Sequence, residues 1–180
     1  MKETIYQLSD GVQLRQAKES DAQAIMDFAS LLFASTDQVL TTPQEYHITL
    51  EQEVNWIKAL GENKKGFLLI AEKEGKVIGL LDFCVKPKIK MSHTGEFGMS
   101  VHPDFQSRGI GKVMLEALLK WAKYEPGIEK MMLQVFASNS RAIALYLKCG
   151  FKEEGRQIKA IKQANGDYVD LIQMGFWLKE

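Results

Sequence analysis

Cysteine is nearly absent from this chain: 180 residues hold two, Cys84 and Cys149, with no C-x-x-C spacing between them. That excludes a disulfide framework and makes a reduced, cytoplasmic protein the economical expectation. No charge of one sign prevails, since Lys+Arg and Asp+Glu both total 23. Without a net field, neither nucleic acid nor an anionic membrane is expected as a partner. Apolar runs fall far short of a bilayer span, and the first residues, MKETIYQLSDG, lack the basic-then-apolar order of a secretory signal. Histidine occurs three times, at His47, His93 and His102. No His/Cys/carboxylate group has metal-ligand spacing, so no metal is expected. Internal repeats, low-complexity segments and linkers are missing too. What remains is an ordinary globular balance, 46% apolar and 26% charged, in a chain long enough for one domain over residues 1–180.

The richest stretch is 101–112, VHPDFQSRGIGK. Before it, Phe97, Met99 and Val101 alternate with Glu96, Gly98 and Ser100, the two-residue period of a half-buried strand. After it, Ile110, Val113, Met114, Ala117, Leu118 and Trp121 share one face of a helix. Gly109 and Gly111 fall where that helix begins. Orphan N–H groups and the positive end of the helix dipole make such a start an anion site, and glycine lets a ligand approach the backbone. Two familiar phosphate loops are excluded. The triphosphate loop fails at Gln106 and Val113, and the dinucleotide fingerprint fails at Met114.

Elsewhere the pattern predicts a strand over 12–17 and a helix opened by the capping box Ser20-Asp21-Ala22-Gln23. That helix carries the stripe Ala22, Ile25, Met26, Ala29, Leu32 and Phe33. A polar loop over 34–48 contains Pro43. Thr49-Leu50-Glu51-Gln52 then opens a second helix to about Leu60. Strands over 67–72 and 76–86 meet at Glu74-Gly75. A strand over 129–136 leads to a short helix that Ser138 or Asn139 can cap and Gly150 closes. Strands over 151–162 and 168–178 flank Asn165-Gly166, a strong hairpin turn. The result is one mixed α/β domain with antiparallel hairpins around a central β-α-β-α unit.

Together, Val101-His102-Pro103, Gln106-x-x-Gly109-x-Gly111 and Asn139-x-x-Ala142-x-x-Leu145-Tyr146-x-x-x-Gly150-Phe151 resemble the GCN5-related N-acetyltransferase (GNAT) superfamily. The close resemblance spans residues 95–156. It implies a mostly antiparallel twisted sheet of about seven strands flanked by about four helices, and acetyl transfer from acetyl-CoA to a primary amine. It puts the cofactor on Met99, Val101, Gln106, Ser107, Arg108, Gly109, Ile110, Gly111, Lys112 and Asn139, with the Val101 N–H polarising the acetyl carbonyl. Tyr146 matches the general acid, although its helical face equally suits a core tyrosine. Glu96 matches the general base, and fits an exposed strand carboxylate as well; Asp82, His102 and Asp170 are weaker candidates for it. Acceptor recognition is expected from the 34–48 loop, the start of the second helix and the 163–167 hairpin. There Glu45, Tyr46, Glu51 and Glu53 could favour a cationic amine, or the glutamates could be a solvated helix face. A small-molecule or peptide acceptor and a homodimer both fit the resemblance. From a different class, a non-catalytic acyl-CoA-binding module would keep the same cleft.

Overall fold

The computed structural model describes residues 4–8, 10–62 and 66–179. Positions 1–3, 9, 63–65 and 180, part of the expected 1–180 domain, lie outside the described residues. Eight strands form one sheet in the order β1-β2-β3-β4-β5-β6-β8-β7. They are β1 (Thr4–Gln7), β2 (Gln13–Gln16), β3 (Gly66–Lys73), β4 (Lys76–Val85), β5 (Thr94–Val101), β6 (Lys130–Phe136), β7 (Lys152–Lys162) and β8 (Tyr168–Trp177). Every neighbouring pair is antiparallel except β5 with β6. Among the described residues four α-helices accompany the sheet, α1 (Ala22–Ser35), α2 (Leu50–Glu62), α3 (Ile110–Tyr124) and α4 (Ser140–Lys148), with three short 3-10 turns. The strand missing from the sequence reading is β1, a short edge segment with little periodicity.

Alternation along the strands explains the layers. Phe67, Leu69 and Ala71 on β3 face α3 and join Leu81, Phe83, Met114 and Leu118 in one core. Leu68 and Ile70 face the other way and pack under Ile25, Phe28, Leu32, Ile57 and Leu60 of α1 and α2. Truncating one such fully buried leucine, for example Leu69→Ala, costs about 2–5 kcal/mol.

Local signals hold with one correction. The second capping box is present: the Gln52 N–H donates to Thr49 Oγ1 at 3.2 Å, and the Thr49 N–H to Gln52 Oε1 at 2.8 Å. The expected box at Ser20 is not. A 3-10 turn over Glu19–Asp21 precedes α1, and Asp21 takes the Lys18 N–H at 2.8 Å instead. Its carboxylate also accepts from Arg15, a buried guanidinium bound to Glu72 as well. A buried cation needs such partners, and that demand outweighs a cap. Glu74 and Gly75 both have positive φ, 52° and 78°, as a two-residue hairpin turn of the I′ type requires.

Candidate active site

The parallel pair is short. β5 and β6 share three rungs, Thr94–Lys130, Gly95–Met131 and Glu96–Met132. Beyond them β5 stays on β4 to Val101, while β6 stays on β8 to Phe136. The two strands therefore splay after Glu96. The His102 N–H donates to Ile78 O on β4 at 2.8 Å. Polar groups alternate between the two edges of a strand, so the N–H groups of Met99 and Val101 point the other way, into the splay.

Around the splay lies a cleft of about 500 Å³. One wall is β5 from Met99 to Val101, and a second is the loop and first turn of α3. A third is α4, and the fourth comes from Leu32, Thr36, Gln38 and Val39 at the end of α1. Since α1 covers one face of the sheet and α3 and α4 the other, the cleft passes through the sheet plane.

Backbone geometry shapes the end of the cleft at α3. Gly109 caps α3 with φ 81° and ψ −4°, a left-handed conformation that costs a residue with a Cβ about 1 kcal/mol or more. The first backbone bond of the helix runs from the Val113 N–H to Gly109 O at 3.1 Å. That leaves the N–H groups of Ile110, Gly111 and Lys112 without intrahelical acceptors. At Gly111 the helix meets its neighbours: a Cβ there would stand 3.5 Å from Leu145 Cδ2 on α4 and 3.5 Å from Met99 Cε on β5. Alanine would fit, and anything larger would fill the cleft between the helices.

Most of the predicted cofactor residues line this cleft, with two adjustments. Gln106 is a brace: its N–H donates to Pro103 O at 3.2 Å, and its Nε2 donates to Val101 O at 2.9 Å. Arg108 is absent from the cleft lining, its guanidinium 5.1 Å from the ring centre of Phe105, a lining residue. Arg141 and Lys148 stand on the rim with Lys112, and Arg141 Nη1 donates to Ser107 Oγ at 3.4 Å. The sequence reading missed these two cations, although Arg141 falls inside the motif that runs from Asn139 to Tyr146. Asn139 caps α4, its side chain accepting the Ala142 N–H at 3.2 Å.

Tyr146 is 6% exposed and lies edge-on to Phe97, ring centroids 5.9 Å apart. Burial pushes its phenol up to about 12, so it is fully protonated at neutral pH. Core and cleft roles coincide here, because the ring packs in the core while the residue lines the cleft.

Glu96 sits on the last β5–β6 rung, half-buried and ion-paired with Lys86 Nζ, outside the cleft lining. On β4, beside it, burial and the charge of Glu96 push Asp82 up to about 6, against the lowering effect of its own N–H. His102 shapes the turn, its Nδ1 accepting the Asp104 N–H at 3.2 Å. Cys149 is an unpromising nucleophile, its thiol raised by burial and by Glu116.

The expected acceptor elements separate into two groups. Loop and hairpin meet where Gln163 Nε2 donates to Asp37 O at 3.1 Å, and Ser138 Oγ, just before α4, donates to Gln38 Oε1 of the same loop at 2.9 Å. The start of α2 stands apart from the cleft. Glu45 is tied to Thr42 at 2.7 Å, Tyr46 packs on Phe33 at 4.9 Å, and Glu53 is buried rather than solvated.

A family model described as the Acetyltransferase (GNAT) family matches residues 31–151. The L-amino acid N-acetyltransferase AaaT of Escherichia coli (strain K12) is 27% identical over 167 residues, 91% of this chain and 96% of that protein. A GNAT-family acetyltransferase from Streptococcus pneumoniae shares the fold with a TM-score of 0.89 at 23% identity, over 92% of this chain and 99% of that one. The structure of yncA from Salmonella typhimurium, solved with its cofactor acetyl-CoA, has a TM-score of 0.83 at 22% identity, over 94% and 95% of the two chains. This chain belongs to the GNAT family and is by class an acetyl-CoA-dependent N-acetyltransferase.

Proposed function

We propose that the chain transfers acetyl from acetyl-CoA to a primary amine by direct attack within the through-sheet cleft. One observation carries this reading: the β5–β6 splay brings free strand N–H groups, a helix N-terminus and a buried phenol into one space. The residues fit the donor. Orphan N–H groups at the start of α3 suit its diphosphate, Lys112, Arg141 and Lys148 supply charge at the rim, and the β5 edge can pair with the amides of a pantetheine arm. Bound there, acetyl-CoA supplies an activated thioester.

The protein's own groups then have three tasks. A carboxylate on the α1 side must take a proton from the acceptor, since an ammonium has no lone pair; Glu96 is the residue the sequence nominates. The Val101 N–H, already aimed into the splay, meets the charge that develops on the carbonyl oxygen. Tyr146 donates to sulfur as the C–S bond breaks. Its phenol is a weaker acid than a solvated thiol, and burial beside it raises a thiol in the same direction.

AaaT carries an L-amino acid acceptor in its name, so L-amino acids head the amines to test. Free-thiol release from acetyl-CoA across a panel of amino acids, polyamines and peptides is the direct assay. Turnover on one class supports the reading. Tight acetyl-CoA binding with no turnover on any amine replaces it with a non-catalytic acyl-CoA-binding module.

A further inference from the structure

We propose that Asp82 is the carboxylate that receives the acceptor's proton, reached from the cleft through water along the face that β5 presents at Gly98 and Ser100. This rests on the acetyl-transfer reading above and names the group that makes the amine a nucleophile.

Three observations carry it. Asp82 lies directly across the β4–β5 ladder from Gly98. A Cβ at position 98 would stand 3.0 Å from Asp82 Oδ1, so the bare backbone of Gly98 is what gives the carboxylate its room. Gly98 is itself exposed, and Ser100, next along the same face, lines the cleft. One pleat period is about 7 Å, a gap that one or two waters can bridge. On the other side of Gly98 the rival carboxylate is committed: Glu96 is held by Lys86 and lies outside the cleft lining.

The electrostatic surroundings agree. Burial, and Glu96 after it, push Asp82 up to about 6, which leaves it ionised at neutral pH yet basic enough to accept a proton. Glu96 is the charged residue that acts on it, with Lys86 behind Glu96. α1 presents Ile25, Phe28, Ala29 and Leu32 to the sheet, while Asp27 of α1 and Glu53 of α2 act on Tyr46.

The step balances. An ammonium N–H passes its proton through water to the Asp82 carboxylate, giving a carboxylic acid and a neutral amine. The amine lone pair forms the C–N bond, the C–S bond breaks, the sulfur leaves as a thiolate protonated by Tyr146, and the second proton shed by the nitrogen as the amide forms restores the phenol. Asp82 returns one proton to solvent, matching the net proton released in amide formation.

The test compares Asp82→Asn, Asp82→Glu and Glu96→Gln in the full chain, by acetyl-CoA affinity and by the pH dependence of kcat/KM on a working amine. Wild type should show an acidic limb near pH 6. Asp82→Asn should bind acetyl-CoA as wild type does, lose about 100-fold or more in kcat and lose the limb, while Asp82→Glu should recover part of both. Glu96→Gln removes a neighbouring negative charge and frees Lys86, so its limb should move to lower pH. An Asp82→Asn enzyme with wild-type kcat and an intact limb overturns the proposal. So does a Glu96→Gln enzyme that loses the limb while Asp82→Asn keeps it. Absence of turnover by wild type on every amine instead sinks the acetyl-transfer reading, and this proposal with it.

Discussion

Gly109 separates two effects that one substitution usually confounds. Its φ of 81° strains any side chain, but a Cβ there would meet nothing within 4 Å. Replacement therefore costs backbone strain alone, about 1 kcal/mol, and less for Asn or Asp, which tolerate the left-handed region. Gly109→Asn and Gly109→Asp have the same shape and similar strain, and differ by one negative charge at the N-cap of α3. In the free protein that charge meets the positive end of the helix and stabilises by about 0.3–1 kcal/mol. For a protein of this size the aspartate variant should melt about 1–4 °C above the asparagine variant. Against a bound diphosphate the sign reverses. A second anion about 5 Å away at an effective dielectric of about 20 costs about 3 kcal/mol, roughly 100-fold in affinity. Thermal melts of the free variants and calorimetric titration with acetyl-CoA measure both halves. Should Gly109→Asp bind acetyl-CoA within twofold of Gly109→Asn, the diphosphate does not sit at this helix start.

Other outcomes follow from the same geometry. Tyr146→Phe should reduce kcat by about 100-fold while leaving the acetyl-CoA dissociation constant within twofold; undiminished turnover in a steady-state assay would remove the phenol from the chemistry. The raised Tyr146 phenol also stabilises the fold while protonated. It loses that contribution, about 2–3 kcal/mol, as pH rises from about 10 through about 12. Denaturant melts should show this alkaline loss to be smaller in Tyr146→Phe than in wild type. Gly95→Ala would drive a Cβ into the Phe83 ring and to 2.9 Å from Cys84 O, so urea unfolding should report a destabilisation of at least about 1–3 kcal/mol. Arg15→Ala removes the buried cation that Asp21 and Glu72 share and should cost about 3–5 kcal/mol in the same assay.

Sequence legibility tracked how local the determining physics is. Asn139 and Gly150 announced α4 because cap and C′ chemistry act within a turn, and Asn139 does accept the Ala142 N–H. The α3 start was legible for the same reason, though not the left-handed conformation of Gly109. Ser20 misled because Asp21 answers to Arg15, six residues away in sequence but fixed by Glu72 on a distant strand. The brace from Gln106 to Val101 and the seating of Arg108 over the Phe105 ring are tertiary choices that the loop sequence leaves open. Least legible was the pairing of Glu96 with Lys86 beside a raised Asp82, since it depends on how β4 and β5 align.

Unpaired strand edges normally sit at a sheet's periphery, where they invite other chains to add on and aggregate. Here such an edge is set in the middle of an eight-stranded sheet, between neighbours that part by only a few residues. The opening is flanked by α3 and α4, whose residues line the same cleft. On the acetyl-transfer reading a linear amide pairs there, and the adhesive power of an open edge is turned toward one ligand instead of toward other chains.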